Sequence, residues 1–165
     1  MEEIDVSNSR KVDRESLLNE EERCSLRSLI GQLNWLSTQS RPDIAYDVST
    51  LGSSFKHAKV KHLLKANKVV KKVKMNKVQM FFPKLNLDQV TVRCYADASY
   101  GKLEDGGSQG GMFIELGSDN KTAPVIWHSK RTTRVVKSTM AAETLAMVEA
   151  LGSAQIISEL VLIYK

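Results

Sequence analysis

The stretch from residue 90 to residue 101, VTVRCYADASYG, alternates apolar and polar side chains up to Asp97. That period of two marks a β-strand. Val90, Val92, Cys94 and Ala96 fall on one face, and Thr91, Arg93, Tyr95 and Asp97 on the other. Working outward, the glycine-rich run GKLEDGGSQGG supplies a turn, and 111–116 (GMFIEL) reads as a second strand. Gly117-Ser-Asp-Asn120 forms another turn, and 124–129 (PVIWHS) a third strand. Ser138 is a natural N-cap for a long helix reaching about Leu160. Strand, strand, strand, helix with short connections predicts an α+β or α/β arrangement, a three-stranded antiparallel meander with a helix laid across it.

Two carboxylates stand out in that frame. Asp97 closes the first strand, and Glu143 lies in the first turns of the helix. Ala146, Met147 and Ala150 follow Glu143 at helical spacing, a small apolar face expected to turn toward the sheet and carry Glu143 with it. A glutamate aimed inward is costly unless its charge is compensated, as a divalent cation would do. The alternative is a boundary position from which the carboxylate reaches water.

Upstream the period is helical. Glu20, Glu21 and Glu22 suit the first turn of a helix, where negative charge meets the positive end of the dipole. Leu26, Leu29, Ile30, Leu33 and Leu36 form its stripe. Ser40-Arg41-Pro42-Asp43 interrupts it, because a residue before proline is steered from helical angles. A second helix starting at Pro42 or Asp43 carries Ile44, Val48, Leu51 and Phe55. In a third, Lys61, Lys65, Lys68 and Lys72 share a face opposite Leu63, Ala66, Val70 and Val73. Residues 1–19 lack periodicity and read as a loose leader. The expected organisation is therefore leader 1–19, helical segment 20–79 and sheet-plus-helix unit 80–165.

Composition narrows the function classes. With 42% apolar and 26% charged residues the chain is globular in character, not a disordered tail. The N-terminus is acidic and polar, unlike a signal peptide, and no run approaches the ~20 consecutive apolar residues of a spanning helix. A cytoplasmic or nuclear protein with no membrane partner is expected. Cys24 and Cys94, far apart and outside any C-x-x-C pair, support neither zinc nor a disulfide and are expected as buried thiols. The charge of +5 is unevenly spread: 1–22 is acid-rich, while Lys56 to Lys84 holds ten lysines and no acid. Such asymmetry points to a polyanion or to a solvated face. His57, His62 and His128 have no partners at metal-ligand spacing, and the glycine-rich run lacks the G-K-[ST] of a phosphate loop.

Several motifs in order carry a family resemblance. SLRSLIGQLNWLSTQSRPDIAYDVSTLGSSF holds Gly31, Leu33, Trp35 and Leu36, then Arg41-Pro-Asp-Ile44. HLLKANKVVKKVK, YADASYG, VIWHSKRTTRVVKST and MAAETLAM follow. Over roughly 20–165 the chain resembles copia-type (Ty/copia) retrotransposon Pol polyproteins, at the segment joining reverse transcriptase to ribonuclease H and the N-terminal half of the latter. The resemblance implies a helical connection followed by a truncated ribonuclease H-like fold, with Mg²⁺ as cofactor and Asp97 and Glu143 as catalytic metal ligands. Lys130 and Arg131 fall in the family's segment before the helix and are implied nucleic-acid contacts, beside the row Lys61, Lys65, Lys68 and Lys72. The family's third and fourth acids have no counterpart here, as no Asp follows Asp119. The expectation is a fragment whose parent domain hydrolyses RNA in RNA–DNA hybrids and whose missing remainder is a partner. Alone it is expected to be catalytically incomplete. A non-catalytic nucleic-acid-binding remnant and a decayed element without function remain as alternatives.

Overall fold

The structure is a computed structural model describing residues 1–164. It divides into two compact units, Met1–Gln79 and Met80–Lys165. Taken together they form an α+β protein: a helical segment, then a three-stranded antiparallel sheet with one helix.

The first unit holds α1 (Asn8–Val12), α2 (Glu20–Gln39), α3 (Ala45–Ser54) and α4 (Val60–Met75). A capping box starts α2. The Glu22 amide donates to Asn19 Oδ1 at 2.8 Å, and the Asn19 amide donates to the Glu22 carboxylate at 2.9 Å. Leu26, Leu29 and Leu33 of α2 share one core with Ile44, Val48 and Leu51 and with Val60, Leu63, Ala66 and Val70 of α4. Pro42–Ile44 makes a 3-10 turn, so α3 begins at Ala45 and not at the proline. His62 is buried, and its Nδ1 accepts the Lys59 amide at 2.8 Å, capping α4.

Two expectations are corrected here. Residues 1–19 are not a loose leader. Val6 and Leu18 are buried in the core, and the Asn67 side-chain amide bonds both the N–H and the C=O of Ile4, at 2.8 and 2.7 Å. A segment without periodicity can still dock by isolated side chains and backbone groups, which period counting does not register. Cys24 is also exposed, not buried, because it precedes the Leu26 stripe on the solvent side of α2.

In the second unit β1 (Thr91–Ser99), β2 (Gln109–Ser118) and β3 (Lys121–Arg131) form a meander in the order β1-β2-β3, followed by α5 (Thr139–Ile163). Asp119 and Asn120 have φ of 50° and 61°, the left-handed pair that a two-residue hairpin loop requires between β2 and β3. A register shift at Ile114/Glu115 interrupts the β2–β3 ladder beside Pro124, which an outer strand tolerates. The Ser138 hydroxyl accepts the Ala141 amide at 3.1 Å and starts α5. Met112, Ile114 and Ala150 centre a small core with Val92, Cys94, Ile126 and Ala154 packed around it. Burial pushes the Cys94 thiol pKa up.

By length and composition α5 could cross a membrane. Here it lies on the sheet through Ala142, Ala146, Ala150 and Ile157, and it carries Glu143, Glu149 and Glu159, which a bilayer would oppose. No membrane span is clearly indicated. Leu151, Ile156 and Leu162 of the same helix are exposed.

Candidate nucleic-acid and metal-binding site

Asp97 pairs with Gly111 in β2, which pairs in turn with Ser129 in β3. Alternation then separates two faces. Val92, Cys94, Met112, Ile114 and Ile126 meet α5, whereas Arg93 and Tyr95 meet Glu115 on the other side. Asp97 belongs by register to the second set. The strand continues to Ser99, so Asp97 lies within it and not at its end. Its side chain is exposed, and among the described residues it makes no side-chain hydrogen bond or ion pair.

Glu143 is exposed and unengaged in the same way. Ala146 and Ala150 of the expected face are buried, joined by Ala142 in place of Glu143, while Met147 is 56% exposed. A step of one residue turns a helix by about 100°, so Glu143 clears the sheet and reaches water. The helix and β1 pack together, yet no hydrogen bond joins the two carboxylates. Among the described residues no group of three or more His, Cys, Asp or Glu side chains could hold a metal ion. Asp97 lies on the sheet face away from α5 and Glu143 points from α5 to water, so the described residues do not present the two carboxylates together as a Mg²⁺ shell.

Between the end of β3 and α5 there is a cleft of about 330 Å³ lined by Lys130, Thr132, Thr133, Arg134 and Glu149. The Lys130 ammonium is paired with Glu149, and the Arg131 guanidinium with Asp105. The Arg131 hydrogen bond, aided by the Gly107 amide, holds the Asp105 carboxyl below its ordinary range. His128 Nε2 lies 3.6 Å from Glu149. Burial lowers the His128 pKa, and the nearby Glu149 charge opposes that shift. Its Nδ1 is buried without a hydrogen-bond partner among the described residues. Sequence reading reached Lys130 and Arg131 but missed Thr132, Thr133 and Glu149. The hydroxyl pair inside K-R-T-T-R was the available signal; Glu149 had none, because its role depends on how α5 is rotated.

In the first unit the lysine row is divided. Lys61 lies 3.3 Å from Glu15, Lys72 pairs with Asp47 at 3.7 Å, and Lys65 donates to Thr50 Oγ1 at 2.7 Å. Lys68 is exposed and carries no ion pair among the described residues. The exposed lysines of the helix are Lys68, Lys71 and Lys74, of which only Lys68 belonged to the expected row. Burial of Leu63, Ala66, Val69 and Val70 sets this rotation, drawing Lys65 and Lys72 toward α3.

No family model matches the chain, and no solved structure matches it. Over 110 residues, 67% of its length, it is 30% identical to a transposon Ty5-1 protein of Saccharomyces cerevisiae. The chain spans 34% of that protein's length. The likeness supports a retrotransposon origin.

Proposed function

We propose that the chain is a piece of a copia-type retrotransposon polyprotein. It would comprise the end of the reverse transcriptase connection and the N-terminal half of a ribonuclease H-like domain, working in the cytoplasm or nucleus. The observation that carries this reading is the pair of open, unpaired carboxylates, Asp97 on β1 and Glu143 on α5, placed on the first strand and the helix of a strand–strand–strand–helix unit. Retrotransposon ancestry supports it independently. Such domains cut the RNA strand of an RNA–DNA hybrid, and a bound divalent metal would supply water activation and leaving-oxygen stabilisation there. The carboxylates of Asp97 and Glu143 lie on different faces, and among the described residues no set encloses an ion, so a catalytic centre would need further groups. Lys130, Arg131 and Arg134, with the Thr132 and Thr133 hydroxyls, are cast as contacts to the phosphate backbone.

Two measurements test the reading. Mn²⁺, a paramagnetic stand-in for Mg²⁺, should broaden amide resonances around Asp97 and Glu143, and Asp97→Asn should weaken that effect. Broadening near neither residue would overturn the assignment. The isolated chain should leave an RNA–DNA hybrid uncut in Mg²⁺, and cleavage indifferent to Asp97→Asn would count against Asp97.

A second reading, a non-catalytic nucleic-acid-binding remnant, is favoured by the exposed cations Lys68, Lys71 and Lys74. Binding of this kind weakens steeply with added salt.

A further inference from the structure

The N-terminal segment and α4 are joined in a way that concerns their charges. Backbone bonds hold the segment beside the helix. The Lys61 amide donates to the Arg14 carbonyl at 3.0 Å, the Val60 amide to Ser16 at 3.1 Å, and Leu18 to Ala58 at 3.2 Å. Farther along, Asn67 clamps Ile4 from both sides of its peptide. These two attachments place two carboxylates on helix cations. Glu15 bonds Lys59 at 2.8 Å and lies 3.3 Å from Lys61, and Glu3 lies 3.5 Å from Lys71. Hydrogen bonds from Lys59 and Lys61 hold the Glu15 carboxyl below its ordinary pKa.

We infer that residues 3–15 are an internal competitor for polyanions on the α4 face, with Glu3 and Glu15 standing where phosphates of a nucleic-acid backbone would bind. This rests on the nucleic-acid-binding reading above and adds its regulation. The anchoring is by backbone and buried side chains, so the segment need not detach. Swinging the two exposed carboxylates aside withdraws them from Lys59, Lys61 and Lys71. Individually such exposed pairs are weak. Tethering gives them a high effective concentration, so they compete with a dilute ligand better than free carboxylate would. Lys68 and Lys74, without ion pairs among the described residues, would make first contact with the ligand.

The test is fluorescence anisotropy of a labelled RNA–DNA hybrid with the full chain at low salt. Glu3→Gln/Glu15→Gln should tighten binding by up to about tenfold, the equivalent of roughly 1.4 kcal/mol. High salt should erase the difference. Glu2→Gln/Asp5→Asn removes the same charge from the same N-terminal stretch, at positions without an ion pair among the described residues, and should change affinity less. In a Lys59→Gln/Lys61→Gln/Lys71→Gln background the gain should vanish. Equal binding by the wild type and Glu3→Gln/Glu15→Gln would overturn the inference while leaving nucleic-acid binding intact. An equal gain from Glu2→Gln/Asp5→Asn would also overturn it, since net charge would then suffice. Absence of binding by every variant at low salt would overturn the binding reading itself.

Discussion

The guanidinium of Arg41, only 5% exposed, grips the carboxylate of Asp43 through two hydrogen bonds of 2.7 and 2.9 Å and donates a third to the Val73 carbonyl at 3.2 Å. The R-P-D-I motif is therefore a junction: the arginine after α2 ties the turn before α3 to the last turns of α4. Replacing Asp43 by Asn leaves a buried guanidinium short of its counter-charge. We expect a loss of about 2–3 kcal/mol, read as faster amide exchange across α2 to α4 in the full chain. Arg41→Lys should not rescue it, because an ammonium cannot make the paired contact.

The same pair sets a pH dependence. The Arg41 hydrogen bond is the largest cause of the lowered Asp43 pKa, and the Arg10 hydrogen bond does the same for Glu22. A carboxyl whose folded pKa lies below its unfolded value contributes stability above the unfolded value. That contribution is lost as pH falls through the folded one. Amide protection of the first unit should therefore drop below the ordinary carboxylate range, with Glu22→Gln and Asp43→Asn each flattening the slope. An unchanged slope in both variants would contradict the pairing.

His128 predicts a pH dependence in the second unit at a higher range. Burial depresses its folded pKa from the ordinary 6.5, so the unfolded state binds the proton first as pH falls. Stability present above 6.5 should decline progressively below it, and His128→Gln should reduce that decline. Thermal melts followed by exchange in β2 and β3 would measure it.

Docking of the N-terminal segment can be tested at Leu18, 8% exposed in the first core. Leu18→Ala should cost about 2–3 kcal/mol and open residues 1–19 to proteolysis. Wild-type protein digested there as quickly as the variant would refute the packing.

The hairpin between β2 and β3 gives a backbone prediction. Asn120 sits at φ 61°, where glycine carries no steric penalty and a β-branched residue does. Asn120→Gly should be neutral or stabilising, and Asn120→Val should destabilise by about 1–2 kcal/mol in denaturant titration.

What the sequence by itself determined was local. Alternation from Val90 to Asp97 assigned both faces of β1, leucine spacing found α2, and Ser138 marked the start of α5, because period and capping depend on neighbours a few residues away. Tertiary structure decided the rest. Glu143 left the sheet because Ala142, Ala146 and Ala150 were the alanines that docked. Lys61 met Glu15 and Lys72 met Asp47, although nothing in the lysine spacing names those partners. Long charged side chains choose among whatever carboxylates the fold brings within reach, and those lie far away along the chain. The two open acids, Asp97 and Glu143, show both limits: their elements were legible from periodicity, whereas the choice between an inward Glu143 and one reaching water was made by the packing of α5.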